Sequence, residues 1–213
     1  MAGGDRAKRA VASIYSRSAE RLYEPLVVRT GFPLLGGDIN DLVMEQGRNA
    51  VAVARDRPIL DMPVGTAYFT KEMAKRAGGP VVGVDIAEGM VRKASRTASE
   101  SGLHNLFSLQ ADAHHLPFKE GSFGAILCTN GLQVIPGLTQ TISELARVLA
   151  VGGTLFVSVV TLPLSRVLPR RAAGHLPTLL RSRSDVEGEL RHAGLRVANS
   201  RMNRLAFLIE AGH

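Results

Sequence analysis

From Pro58 to Val160 the chain repeats one pattern: an apolar run, a turn of small or acidic residues, then an amphipathic stretch. Strands are predicted over 58–62, 80–85, 105–110, 124–128 and 153–160, and helices over 66–77, 87–101 and 138–149. Gly78-Gly79, Gly102 and Gly152-Gly153 punctuate the returns from helix to strand. The strands read as nearly continuous apolar runs, Val81-Val82-Gly83-Val84 for one and Ala125-Ile126-Leu127 for another. Runs of that kind are buried on both faces, so the expected fold is α/β, a doubly wound, mostly parallel sheet with helices on each side.

The flanks read differently. Residues 1–10 are expected to form a tail, 11–29 an amphipathic helix with Val11, Ile14, Tyr15, Leu22 and Leu26 on one side, and 41–55 a helix capped by Asp38 or Asn40. Residues 161–182 hold Pro163, Pro169 and Pro177 among arginines and look like an insertion. Ser184, with Glu187 three residues on, has the capping-box pattern of a helix start. Leu195–Ser200 and Leu205–Glu210 are expected to pair as an antiparallel hairpin at the sheet edge.

Composition limits the classes of function. The 213 residues suffice for one domain with a full core, and 45% apolar residues are too many for disorder. No apolar run approaches the roughly 18 residues of a membrane span, and residues 1–9 lack the apolar segment of a signal peptide. A single cysteine, Cys128, leaves no internal disulfide and points to the cytoplasm. Net charge is +7, but residues 61–160 carry eight basic and eight acidic groups, while 161–213 carry nine and four. The excess is scattered arginine with few aromatics interleaved, which reads as a solvated surface before it reads as a nucleic-acid face. Nothing in the chain fixes an oligomeric state.

Three carboxylates carry the chemistry. Asp61, Asp85 and Asp112 each end a predicted strand, with Asp85 lying 24 positions after Asp61. In an open α/β sheet, ligands bind outside the carboxyl ends of the strands. The turn Met62-Pro63-Val64-Gly65-Thr66-Ala67 occupies that place, with Gly65 allowing close approach to the backbone and Thr66 as candidate cap of the next helix. Asp85 can accept from both hydroxyls of a ribose. Asp112 can accept from the exocyclic amine of an adenine while the Ala113 amide donates to the ring. Each has an alternative reading as a plain helix cap.

These stretches resemble a known family. Ile59–Ala67 resembles the glycine-rich first motif of class I S-adenosylmethionine-dependent methyltransferases, Val81–Met90 the second, and Leu109–Phe118 the adenine-site segment. Phe123–Pro136 and Glu144–Leu155 resemble the fourth strand and the turn into the fifth. The likeness is to the small-molecule branch that includes ubiquinone and menaquinone methylases, and it spans about 58–160. It implies a seven-stranded Rossmann-like sheet with a final reversed strand, and S-adenosylmethionine as cofactor. By that resemblance Gly65 and the backbone around Pro63 face the methionine portion, and Asp85 holds the ribose. Ile86 and Met90 lie against the adenine, Asp112 and Ala113 hold its edge, and Thr129 and Asn130 lie beside the sulfonium and the amine. The first motif departs from three glycines. Pro63 removes one N–H, and Ala67 is expected to place a methyl close to the ligand.

Methyl transfer from a sulfonium needs orientation more than a fixed catalytic set. A base is needed only when the acceptor is a hydroxyl or an acidic carbon. Candidates on the acceptor side are Tyr15 and Tyr23, in a helical lid over 1–57, and His175, in a lid insertion over 161–182 of the cofactor domain at 58–213. His114 and His115 have no cysteine or histidine partner at metal spacing. The expected activity is methyl transfer to a small phenol, quinone-like ring or other biosynthetic intermediate. The rivals are an RNA-modifying methyltransferase, for which the Asn/Asp-Pro-Pro-aromatic motif is missing at Thr129–Leu132, and a non-methylating or binding protein on the same fold.

Overall fold

In a computed structural model, residues 39–160, 181–203 and 206–213 are described. Their elements, in chain order, are α1 (Ile39–Ala54), β1 (Ile59–Asp61), α2 (Thr70–Ala74), β2 (Val81–Asp85), α3 (Glu88–Glu100), β3 (Leu106–Gln110), β4 (Phe123–Thr129), α4 (Leu138–Val148), β5 (Leu149–Val160), α5 (Arg183–His192), β6 (Arg196–Met202) and β7 (Ala206–Gly212). The strands form one seven-stranded sheet in the order β3-β2-β1-β4-β5-β7-β6. The first five are parallel; β7 runs antiparallel between β5 and β6. This is the expected doubly wound sheet with its terminal hairpin.

Alternation along the strands divides the core between two faces. Ile59, Val81, Ala125, Leu127 and Phe156 pack with Ala50 and Ala54 of α1, Met73 of α2 and Ala94 and Ala98 of α3. Leu60, Val84, Ile126, Cys128 and Val157 pack with Ile142 and Leu145 of α4 and Val186 and Leu190 of α5. The chain order along the sheet reverses at β1, which pairs with β2 on one side and β4 on the other. The connections leaving β1 and β4 therefore part to opposite faces and open a crevice between them.

Five local readings differ from the sequence expectation. The helix after β1 is five residues, Thr70–Ala74, because Gly65 and Ala67 both adopt positive φ (54° and 59°), which a right-handed helix does not accept. Thr66 is not its cap: Phe69 precedes the helix without a side-chain cap bond, and the Thr66 carbonyl accepts from Thr97 Oγ1 at 2.9 Å. The last helix begins two residues early. Ser182, not Ser184, is its cap, and Asp185 closes the capping box, which frees Glu187 to accept from Ser200 Oγ. Finally, Gly152-Gly153 lie inside β5, which runs from Leu149; a Cβ on Gly153 would stand 2.8 Å from the Gly124 carbonyl, so glycine lets the two strands close. In α1, Asn40 lies within the helix rather than capping it. Asp38, the predicted 11–29 helix and nearly all of the 161–182 insertion fall outside the described residues.

Candidate functional site

The crevice at the switch point is a cleft lined by residues from the carboxyl ends of the parallel strands. Asp61, Pro63, Gly65, Asp85, Ile86, Met90, Asp112, Ala113, Thr129 and Asn130 all line it. Ala67 does not. Its side chain is fully buried in the core with Ala50 and Val64, so the expected methyl beside the ligand is instead a methyl under the turn. Tyr15, Tyr23 and His175 fall outside the described residues.

The turn after β1 is fixed from below. Val64 N donates to the Val84 carbonyl at 2.9 Å, and the Val64 side chain lies where a Cβ on Gly83 would be, 2.5 Å from its nearest carbon. Gly83 is thus required for the turn to seat on β2. At Gly65 the reason is conformational: φ is +54°, and a Cβ there would meet nothing within 4 Å. The space beside Gly65 is open to a ligand.

The two central carboxylates are buried, 6% exposed for Asp61 and 7% for Asp85. Asp85 accepts from the backbone on both oxygens, from Ala87 N at 2.9 Å and Gly65 N at 3.1 Å. It therefore ties the β2 end to the Gly65 turn, in addition to any cap role toward α3. Burial raises its pKa above the ordinary carboxylate value, against the lowering effect of those backbone donors. Asp61 accepts from Thr70 Oγ1 at 2.5 Å. Burial pushes its pKa up to about 7; the Thr70 bond opposes this and the negative charge of Asp85 adds to it. Cys128, on the other face of β4, is buried, and its thiol is pushed up to about 12 chiefly by that burial.

The outer walls come from loops. Asp112 does not open a helix: the segment 111–122 is irregular, and Asp112 Oδ1 accepts from His114 N at 3.0 Å. Gln110 Nε2 donates to the Ile86 carbonyl at 2.9 Å and holds that segment in place. Asn130 adopts φ +52°, donates its N–H to the Ser158 carbonyl at 2.8 Å, and has a buried Oδ1 with no hydrogen-bond partner among the described residues. A buried acceptor of that kind wants a donor from a ligand.

Sequence reasoning missed part of the lining. Val43, Met44, Gly47 and Arg48 of α1, Tyr68, Phe69, Glu72, Met73 and Arg76 around α2, and Val134, Ile135 and Pro136 beyond β4 also face the cleft. A helix over 41–55 was expected, but which of its turns reaches the cleft depends on tertiary packing. His114 lines the cleft too, and its place within the Leu109–Phe118 stretch, two residues from Asp112, was the sequence signal for it.

Residues 59–153 match the methyltransferase-domain family. That match runs from β1 into β5. Over 114 residues the chain is 40% identical to the demethylmenaquinone methyltransferase of Thermus thermophilus, covering 52% of this chain and 51% of the relative. The chain spans about half the length of the curated relatives it matches. In fold, the chain is similar to geranyl diphosphate C-methyltransferase from Streptomyces coelicolor A3(2), at a TM-score of 0.69 and 16% identity over 81% of this chain and 77% of the other. It is also similar to the [4+2]-cyclase SpnF, at 0.65 and 24% over 76% and 58%. No helix among the described residues is long and apolar enough to cross a membrane.

Proposed function

We propose that the protein transfers a methyl group from S-adenosylmethionine to a small-molecule acceptor. The observation that carries this reading is the convergence of Asp61, Asp85, Asp112 and Asn130 on one cleft at the switch point, beside the open space at Gly65. The donor set suits the cofactor. After its two backbone bonds Asp85 keeps lone pairs for ribose hydroxyls. Asp112 and the Ala113 amide offer an acceptor and a donor to the adenine edge, between the apolar surfaces of Ile86 and Met90. Asn130 Oδ1 and Asp61 are acceptors for the methionine ammonium, with Pro63, Gly65 and Thr129 around the same end.

When bound, the cofactor supplies a methyl on a sulfonium, already a strong electrophile. What remains for the chain is to hold that carbon in line with the acceptor atom and keep water from it. Val43, Met44, Phe69 and Met73 make the wall next to the polar groups apolar, which suits a partly apolar acceptor such as a quinone-like ring. The name of the Thermus relative points to the same class. Residues 1–57 and 161–182 are proposed as the acceptor side; within the first of them α1 packs on the sheet through Ala50 and Ala54 and is a wall of the cleft, so the lid role falls to the residues before it. They bring Tyr15 and Tyr23 as orienting groups and His175 as a base for acceptors that must lose a proton. A cytoplasmic site of action is part of the same proposal.

Two measurements test it. Calorimetry with S-adenosylhomocysteine is expected to show a single site; no heat at millimolar ligand would remove the cofactor reading. Incubation with methyl-labelled cofactor and a panel of phenols and reduced quinones is then expected to yield a labelled small molecule. Label appearing in RNA instead would move the chain to the nucleic-acid rival.

A further inference from the structure

The segment 131–137, between β4 and α4, walls the cleft through Val134, Ile135 and Pro136. Internally it is a single tight turn, with Val134 N and Ile135 N both donating to the Gly131 carbonyl, at 2.9 and 3.0 Å. The outer carbonyls of this turn are taken by side chains from two distant parts of the chain. Arg181 Nη2 donates to the Ile135 carbonyl at 2.6 Å. His114 Nε2 lies 2.8 Å from the Pro136 carbonyl. A carbonyl oxygen only accepts, so the hydrogen of this bond sits on Nε2.

Both contacts are built in rather than incidental. The His114 side chain is 8% exposed, and its ring Nδ1 lies 3.5 Å from Asp112 Oδ1. The ring approaches the turn only because residue 137 is glycine, where a Cβ would stand 2.9 Å from Nε2. Arg181 is the residue before the α5 cap, yet its guanidinium points back to the cleft wall, with Nη1 buried and without a partner among the described residues. A guanidinium partly desolvated against a neutral carbonyl is costly unless its hydrogen bonds are made, and the Ile135 carbonyl takes one of them.

We propose that His114 and Arg181 are positioning residues that together hold the 131–137 wall, and so set the distance between the Asp112 edge and the Thr129–Asn130 end of the cleft. The proposal rests on the cofactor reading above. Neighbouring carbonyls of one short turn are gripped from both sides, so releasing either grip frees the same element. Their effects on ligand binding are then not independent.

The test is a double-mutant cycle on His114→Leu and Arg181→Met, read by S-adenosylhomocysteine affinity and by hydrogen exchange at the Val134 and Ile135 amides. Each single change is expected to weaken binding by about five- to tenfold, the scale of one lost hydrogen bond, and to speed exchange at both amides. The double variant is expected to lose clearly less than the product of the two. His114→Gln and Arg181→Lys, which keep a donor, are expected to recover at least half of each loss. They carry the test if the apolar variants do not fold. Independent, multiplicative losses, or losses that the donor-keeping variants fail to recover, would reduce both residues to ordinary packing. Unchanged exchange at Val134 and Ile135 would overturn the proposal even if affinity falls. Should wild-type protein bind no S-adenosylhomocysteine, the cofactor reading fails, and the exchange arm still decides whether the two side chains hold the wall.

Discussion

At the scale of single residues, the site is governed by two buried carboxylates with different duties. Asp85 has both oxygens engaged by backbone donors and is the candidate for the ribose. Asp85→Ala is expected to weaken S-adenosylhomocysteine binding by about 1–3 kcal/mol in calorimetry, the scale for losing a charged hydrogen-bonding partner. An affinity within twofold of wild type would take Asp85 out of that role. Asp61 is held near pH 7 by burial, and the sign of its effect on stability follows. Unfolded, it loses its proton near the ordinary value of 3.8; folded, it keeps it to about 7. Between those limits the folded state binds more protons, so the ligand-free protein loses stability as pH rises from about 4 to about 7, then levels off. The shift corresponds to at most about 4 kcal/mol. Asp61→Asn keeps an acceptor for Thr70 and is expected to raise the thermal midpoint of the ligand-free protein at pH 8 while weakening S-adenosylhomocysteine binding. A midpoint that falls at pH 8 would mean Asp61 is ionised at no cost. For wild type, binding of the ligand's ammonium is expected to draw Asp61 into its charged form. Calorimetry in buffers of different ionisation heat should therefore register release of up to about half a proton near pH 7, rising toward one as the pH is lowered below that.

At the scale of elements, the parallel strands were legible because two-sided burial leaves an unbroken apolar run, as in Ile59–Asp61 and Phe123–Thr129, and their acidic ends follow directly. The short α2 was not legible. Its apolar period suggests a start at 66, and the left-handed backbone at Ala67 that delays it comes from seating Val64 on β2. Ala67 itself was misplaced for the same reason: only the folded turn shows that its methyl points down into the core. The α5 cap was read two residues late because Ser184 and Glu187 spell a capping box as well as Ser182 and Asp185 do. The difference is settled by Glu187 being claimed by Ser200 of β6. Two consequences can be measured. Ser182→Ala removes the acceptor for Asp185 N and is expected to cost about 0.5–2 kcal/mol in denaturant unfolding without altering ligand affinity. Gly83→Ala forces a methyl onto Val64, 2.5 Å away, and is expected to cost about 1–3 kcal/mol and to weaken ligand binding as well, because the Gly65 turn must lift. If Gly83→Ala binds S-adenosylhomocysteine as wild type does, the seating of Val64 does not position the turn.

For the whole molecule, the cleft gathers residues from the ends of β1, β2 and β4 and from the segment after β3, four consecutive strands from one edge of the sheet inward. β1 contributes only three residues, paired on both sides, so the centre of the sheet rests on its shortest strand. A ligand that touches all four carboxyl ends therefore bridges segments that would otherwise separate on unfolding, and it cannot bind the unfolded chain. At a hundredfold excess over its dissociation constant it is expected to stabilise the fold by about 2.7 kcal/mol. For a chain of this size that is about 5–10 °C in the thermal midpoint. Charge gives this prediction a second readout. S-adenosylhomocysteine has no net charge at neutral pH, and residues 61–160 are themselves balanced, so the shift is expected to persist between low and half-molar salt. Binding through the basic excess at 161–213 would instead be lost steeply over the same range, as phosphate contacts are. A midpoint that rises with RNA at moderate salt and ignores S-adenosylhomocysteine would place the functional surface on the arginine-rich end of the chain rather than at the centre of the sheet.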